Sequence, residues 1–238
     1  MRKALTALLL LAAATAAHAV AQVGAAPREI VSEYRVSNSG VTIGRVNESF
    51  VRTGDLYAIT SVTRSEGPLK LLFDDQITLE SSGRVEPAGL VPLTFGQRRA
   101  GKPDRDLKAT FDWERHLMRS TYKGERIEAA LPDRTQDRLS LMYQFMNFGA
   151  AGSERIQVSM SNGRKVELYT YRLVDTVRLS TPAGEFETLH YERVVASSKD
   201  ARAEVWLARD RHHFPVRVVF DDPRGLRLEQ VLVALKTR

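Results

Sequence analysis

The feature that most limits the fold is a repeated two-residue alternation of apolar and polar side chains, with turn residues at short spacing. The clearest run places Leu107, Ala109, Phe111 and Trp113 on one face. Such alternation is typical of strands that bury one face. Asn162-Gly163 separates two further runs and predicts a β-hairpin. The chain is therefore predicted to be mainly β.

About ten to twelve such runs are spread evenly along the chain. In the run that starts at Val41, the apolar phase slips at Gly44, which predicts a β-bulge. Because an open sheet of this size exposes its edges, we predict a strongly curved antiparallel sheet or a partly open β-barrel. Without a linker or a repeat, residues 20–238 are predicted to form a single β-rich domain.

Residues 134–148 interrupt this pattern with the period of an amphipathic helix. Asp133 is the predicted N-cap, Gln136 completes a capping box, and Gly149 ends the helix. The predicted apolar half contains Leu139, Leu141, Met142, Phe145, Met146 and Phe148, and the polar half contains Ser140, Tyr143, Gln144 and Asn147. A wide apolar face needs a surface to cover, so the helix is predicted to lie over the mouth or concave face of the sheet.

Residues 1–19 are predicted to be a cleavable signal peptide. Arg2 and Lys3 precede an apolar core at 5–14, and Ala17-His18-Ala19 matches the small-residue cleavage pattern. No second apolar run reaches the length of a membrane span. The sequence also lacks cysteine, which suits an oxidising compartment. We therefore expect a soluble protein exported to the periplasm, with no transmembrane segment.

The motifs give little support for an enzyme. The sequence contains no G-x-S-x-G, dinucleotide-binding or phosphate-loop pattern. His212 and His213 are adjacent, so in a strand they would point to opposite faces and would not readily share a metal. The acidic pair Asp221-Asp222 lies at a turn beside proline, where solvated carboxylates are common. No catalytic residue, metal or cofactor is therefore predicted.

A basic loop spans Gln97–Lys108 in a chain of formal net charge +6. Its cations are Arg98, Arg99, Lys102, Arg105 and Lys108, against Asp104 and Asp106. Such a loop is solvated or contacts an anionic envelope surface or another envelope protein. It lacks interleaved aromatic residues, so nucleic acid is not an expected partner.

Several motifs together resemble those of an uncharacterised periplasmic domain-of-unknown-function family of Gram-negative bacteria. They lie at 34–36, 89–92, 111–113, 137–141, 204–207 and 214–217, and the resemblance covers about residues 28–236. It implies a secreted β-rich fold and brings no known activity. The predicted architecture is also similar to the half-barrel of periplasmic lipoprotein carriers, although a shared fold does not fix function.

The first functional hypothesis is a non-enzymatic envelope protein that binds an apolar ligand inside the β-shell under a helical lid. A lipid or a lipoprotein acyl chain would be held by hydrophobic burial. The predicted lining residues are Leu139, Met142, Phe145, Met146, Trp113 and Trp206. The alternative is a structural or interaction module with a solid core, which docks another envelope protein through an exposed sheet edge or through the basic loop with Arg98, Arg99, Lys102 and Arg105. A hydrolase that uses acidic residues in a cleft has the least support.

Overall fold

The computed structural model describes residues 27–66 and 76–238, so the predicted signal peptide at 1–19 lies outside the described residues. Within these two ranges, fifteen strands form one sheet, and a single α-helix is inserted between β9 and β10. The strands are β1 (Glu29–Asn38), β2 (Val41–Thr53), β3 (Leu56–Ser65), β4 (Gln76–Glu86), β5 (Gly89–Arg99), β6 (Leu107–Asp112), β7 (Leu117–Tyr122), β8 (Glu125–Ala130), β9 (Gln136–Asp137), β10 (Arg155–Ser161), β11 (Val166–Thr181), β12 (Gly184–Arg193), β13 (Arg202–Ala208), β14 (Phe214–Asp221) and β15 (Arg227–Thr237). The helix α1 spans Ser140–Ala150, and a 3-10 turn spans Pro103–Arg105.

The sheet is built from two runs of hairpins. Consecutive strands are neighbours from β1 to β8 and from β9 to β15, and β1 pairs with β15. All neighbouring strands are antiparallel except β9 and β10. Strands at the two ends of the domain therefore lie side by side in mid-sheet, and β8 and β9 form the edges. The predicted mainly-β fold with one inserted helix is confirmed.

Curvature brings distant strands together on the concave side. The Ser161 hydroxyl of β10 donates to the Met118 sulfur of β7 at 2.9 Å. The Gln136 amide of β9 donates to the Leu90 carbonyl of β5 at 2.8 Å. Among the described residues no ladder joins β8 to β9, so the sheet is strongly curved without closing into a barrel. We call this partly open sheet the β-shell.

The strand count exceeds the expected ten to twelve because short strands give no alternation signal. β8 has Ile127 as its single large apolar residue, and β9 is two residues long. The bulge expected at Gly44 is confirmed, since the β1–β2 register shifts beside it. A side chain at Gly44 would approach the Arg64 carbonyl of β3 to 2.7 Å, which explains the glycine.

The helix begins later than predicted, at Ser140, and the side chain that caps its start is Asp137 rather than Asp133. The Asp137 carboxylate accepts hydrogen bonds from the backbone N–H groups of Leu139 and Ser140, at 2.8 and 2.9 Å. The Ser140 hydroxyl accepts the N–H of Asp137 at 2.8 Å, which completes a capping box between two residues that are three positions apart. Arg134 has a φ of +58°, so the segment before Asp137 is not helical.

The helix lies within the core and separates two apolar clusters. The larger cluster contains Leu139 and Tyr143 of α1, and the smaller one contains Leu141 and Phe145. The larger cluster also holds buried side chains from β1 to β3, β5 to β7 and β12 to β15, and the smaller one holds Ile156, Val158, Tyr171, Tyr191, Val205 and Leu207. α1 is therefore packed on both sides rather than on one apolar half.

The predicted polar half of the helix is consequently wrong for three of its members, because Ser140, Tyr143 and Gln144 are buried. Tyr143 is 4% exposed and packs on Phe50, with ring centroids 5.0 Å apart. Gln144 is buried because its amide satisfies backbone groups of the β4–β5 turn. It accepts the N–H of Leu90 at 2.9 Å and donates to the carbonyl of Ala88 at 3.1 Å.

Candidate functional site

The six predicted lining residues lie in the core of the β-shell. Leu139 and Phe145 are 3% and 0% exposed, which makes them packed core side chains. The larger cluster holds Leu139, Met142, Met146, Trp113 and Trp206, and the smaller one holds Phe145 with a second contact from Met142. The structure thus brings these residues into two connected clusters, and their role in binding a ligand stays a prediction.

The two tryptophans have different surroundings. The Trp113 indole N–H donates to the carbonyl of Pro92 at 2.7 Å. Trp206 is stacked between neighbours on adjacent strands: the ring centroid of His190 lies 4.2 Å away, and the guanidinium of Arg217 lies 4.4 Å from the indole. Carboxylates flank this stack, since Glu204 contacts the His190 Nε2 at 2.8 Å and Glu229 pairs with Arg217 at 2.7 Å. Trp206 is therefore fixed in place by its cross-strand partners.

A cleft of about 430 Å³ opens between the tip of the β11–β12 hairpin and strand β15. Its volume falls in the usual range for small-molecule sites, about 300–1,000 Å³. It is lined by Pro182, Ala183, Phe186, Arg211, Val233, Ala234, Leu235 and Thr237. None of the six predicted residues lines it, but Phe186, Ala183 and Leu235 belong to or pack against the larger apolar cluster. The cleft is thus an opening onto that cluster.

Beside the cleft, a row of polar side chains crosses the concave face of the β-shell. Ser32, Glu48 and Ser61 are directly opposite one another on β1, β2 and β3. Ser32 also pairs with Leu235 of β15, which lines the cleft. The rows on either side are apolar or aromatic, with Ile30, Phe50 and Ile59 on one side and Tyr34 and Val46 on the other. We call Ser32, Glu48, Ser61 and the Tyr143 hydroxyl the polar chamber.

Sequence reasoning missed the polar chamber, although a signal for it exists. Ser32, Glu48 and Ser61 occupy inward phases of alternating runs, where an apolar residue is expected. The alternation of β1 and β3 could have identified Ser32 and Ser61 as inward-facing. Which polar residues would meet one another depends on strand register, which the sequence alone left open.

Glu48 is the electrostatic centre of the polar chamber. Burial raises the pKa of its carboxyl from 4.5 to about 7, while hydrogen bonds with Ser61 and Tyr143 act in the opposite direction. The Tyr143 hydroxyl donates to Glu48 over a long 3.4 Å. The same carboxylate helps to raise the pKa of Tyr34 and Tyr143 well above 10. The hydrogen bonds to Glu48 therefore offset only part of the cost of burying its charged carboxylate.

We expect Glu48→Gln to flatten the pH dependence of stability. The pKa of Glu48 is about 7 in the folded state and 4.5 in the unfolded state, so the folded state binds more protons between these values. Stability is then lost as the pH rises from 4.5 to 7. At pH 8 the variant should be more stable than the wild type by about 1–3 kcal/mol. Urea unfolding at pH 4 and pH 8 measures this, and a difference that is equal at both values contradicts it.

A second buried carboxyl, Asp137, has a structural role. In addition to capping α1, it accepts a hydrogen bond from the Ser81 hydroxyl at 2.5 Å, and Ser81 lies 3.1 Å from the Tyr57 hydroxyl. Burial raises the pKa of Asp137 to about 6 against the effect of these hydrogen bonds. This network joins the helix start to β3 and β4.

One arginine of the predicted basic surface is paired with an acidic side chain. Arg98 pairs with Glu80 at 2.8 Å. The backbone N–H of Arg99 donates to Asp106 at 3.0 Å, and Arg105 ends the 3-10 turn. Arg99 is half-buried rather than presented on the surface, while Arg105 is exposed. Arg98 is therefore paired with an acidic side chain, and the role of this loop as a basic surface stays a prediction.

The acidic pair Asp221-Asp222 lies in a turn cleft of about 320 Å³. Asp221 pairs with Arg227 at 2.7 Å, and Asp222 pairs with Arg224 at 2.9 Å. The backbone N–H of Arg224 also donates to Asp222. These contacts lower the pKa of Asp222 and fit a turn-stabilising role.

Among the described residues, the structure contains no helix with the length and apolar character of a membrane span.

Comparison with known proteins places the chain among proteins of unknown function. The family model described as "Protein of unknown function (DUF3108)" matches residues 33–231. No curated protein has a significant match to the sequence. The fold is shared with a beta-barrel-like protein of domain of unknown function DUF1849 from Brucella abortus. That structure is 13% identical, with a TM-score of 0.56, and the match covers 90% of this chain and 100% of that one.

Two weaker structural likenesses accompany this one. A candidate lipoprotein from Parabacteroides distasonis is 14% identical with a TM-score of 0.35, and the match covers 88% of this chain and 97% of that one. A candidate outer membrane lipoprotein-sorting protein domain from Vibrio parahaemolyticus is 10% identical with a TM-score of 0.29, covering 88% of this chain and 85% of that one.

Proposed function

We propose that this chain, which belongs to the DUF3108 family of proteins of unknown function, is an exported, non-enzymatic cell-envelope protein that binds an apolar ligand. The export signal predicted at 1–19 supports the location. The cleft between the β11–β12 hairpin and β15 is the observation that carries the binding role. A lipid or a lipoprotein acyl chain is the ligand class that fits an opening onto an apolar core.

The proposal places the ligand in the cleft instead of beneath a helical lid. α1 is packed on both faces, so it forms a wall of the core. A chain in the cleft meets Phe186 and Leu235, whose cluster also contains five of the six predicted lining residues. Each buried CH₂ group contributes about 0.8 kcal/mol, which gives useful affinity without a charged anchor.

Ala183→Trp tests this role because the new indole would fill the cleft. Ala183 is half-buried at the tip of the β11–β12 hairpin and lines the cleft. We expect the dissociation constant for the fluorescent fatty acid cis-parinaric acid to rise about tenfold or more. Ala100→Trp, on an exposed turn, is the matched control and should bind like the wild type. Equal affinity of the two variants would overturn the cleft as the binding site.

Native mass spectrometry of the protein from its own periplasm provides an independent test. We expect a mass increment that corresponds to a bound lipid and disappears in Ala183→Trp. A ligand-free spectrum, together with no binding of cis-parinaric acid, would instead favour the interaction module with a solid core. The packing of α1 against both apolar clusters is the observation that keeps this second function open.

A further inference from the structure

We propose that the polar chamber is the head-group site for a single-chain lipid with a neutral, hydroxyl-bearing head, whose tail lies in the cleft. This inference rests on the proposed binding of an apolar ligand and adds the chemical class of its head group. The carrying observation is the row formed by Ser32, Glu48 and Ser61, which begins at Leu235 in the wall of the cleft.

The polar chamber contains hydrogen-bonding capacity that the fold leaves unused. Ser32 is 2% exposed, and its hydroxyl makes no hydrogen bond of normal geometry, although the Tyr34 and Tyr143 hydroxyls lie nearby. Tyr34 instead donates to the Pro215 carbonyl at 2.8 Å. Because most buried polar groups in folded proteins are paired, an unpaired hydroxyl beside a binding cleft points to a partner outside the chain.

Glu48 adds a second underused group. Its contact with Tyr143 is long at 3.4 Å, and its other hydrogen-bond partner is Ser61. A carboxyl needs several hydrogen bonds when water is removed from it. Ser61, 3% exposed, lies on the far side of Glu48 and extends the row. Three strands and α1 therefore present hydroxyl and carboxyl groups to one space.

The chemistry of the polar chamber selects the class of head group. Hydroxyl groups can donate and accept, and a carboxyl oxygen accepts, so a polyol such as glycerol satisfies all of them. A phosphate or carboxylate head would instead bring a negative charge beside Glu48, and like charges at short distance repel. A neutral head with two or more hydroxyl groups avoids that repulsion and pairs the Ser32 hydroxyl.

The position of the row also fits the geometry of a single-chain lipid. Ser32 and Leu235 are directly opposite on β1 and β15, and side chains in that relation have Cβ atoms about 4.5–5.5 Å apart. A tail that runs along Leu235 into the cleft therefore leaves its head within reach of Ser32 and Glu48.

Two lipids with one acyl chain and different heads test the inference. Isothermal titration calorimetry should show that the wild type binds 1-monolauroylglycerol about tenfold more tightly than methyl laurate, which lacks the hydroxyl groups. Ser32→Ala and Glu48→Leu should reduce this preference to about twofold or less. Neither change adds a polar group to the interior, and circular dichroism confirms the fold. Ser37→Ala, on the same strand, is the control and should keep the preference.

The outcomes separate this inference from the function on which it rests. If the wild type binds both esters with equal affinity, the head-group site is wrong, while binding in the cleft stands. If Ser32→Ala and Glu48→Leu keep the full preference, the head lies elsewhere and the inference is overturned. If neither ester binds to the wild type, the proposed apolar-ligand function fails as well.

Discussion

Replacing Phe145 by alanine should lower the free energy of unfolding by about 3–5 kcal/mol. The side chain is 0% exposed and lies in the smaller apolar cluster. Its ring meets Tyr171 edge-to-face at a centroid distance of 5.0 Å and Phe148 at 6.1 Å. Truncation removes these contacts and leaves a cavity that the surrounding strands cannot fill. Urea unfolding followed by tryptophan fluorescence measures the loss.

Phe220→Ala is the matched control, because Phe220 is 39% exposed on β14. Its loss should cost less than about 1 kcal/mol. The pair also discriminates between a core helix and a lid. If α1 were a lid, truncation of Phe145 would cost the protein little stability and would change its affinity for apolar ligands. Equal, small effects of the two substitutions would contradict the packed helix described above.

Much of the fold follows from local sequence signals. Alternation predicts β6 and β10, Asn162-Gly163 predicts the β10–β11 hairpin, and the phase slip at Gly44 predicts a bulge. These features depend on neighbouring residues: Asn162 accepts the backbone N–H groups of Arg164 and Lys165, and Gly163 has a φ of +81°. Where a few adjacent residues determine the geometry, the sequence is sufficient to predict it.

The errors in the sequence-based prediction concern positions whose burial is determined by strands that are distant in the sequence. A helical wheel assigns Tyr143 and Gln144 to a polar face, on the assumption that one side of the helix meets water. In this fold α1 is enclosed by β5 on one side and β13 and β14 on the other. Gln144 is buried because the backbone at Ala88 and Leu90 needs hydrogen-bond partners, a requirement created by a turn more than fifty positions away.

In the candidate site, too, the sequence predicts what depends on local pattern and misses what depends on contacts between distant strands. The six residues predicted from hydrophobicity belong to the apolar clusters or pack against them, as inward-facing apolar side chains should. The cleft depends instead on the tip of the β11–β12 hairpin approaching β15, and the polar chamber depends on the register that aligns Ser32, Glu48 and Ser61. Both are products of sheet curvature and strand pairing, which period-two alternation does not specify.

Asp137→Ala should destabilise the protein by about 3 kcal/mol at pH 7. The substitution leaves three buried donors without their acceptor: the N–H groups of Leu139 and Ser140 and the hydroxyl of Ser81. A buried donor without a partner costs about 1–3 kcal/mol. Removal of a carboxyl whose pKa is raised to about 6 offsets part of this sum, because its ionised form is itself costly to bury. Thermal and urea unfolding give the magnitude.

Asp133→Ala is the decisive comparison, since the sequence pattern assigns the helix cap to Asp133 and the structure assigns it to Asp137. The Asp133 side chain is 82% exposed, and its carboxylate lies 3.5 Å from the exposed His116. Its removal should change stability by less than about 0.5 kcal/mol. Asp137→Asn keeps an acceptor oxygen and should fall between the two alanine variants. If Asp133→Ala lowered stability more than Asp137→Ala, α1 would begin where the periodicity predicts. The contact between Asp137 and Ser81 would then not be what fixes the start of α1 inside the β-shell.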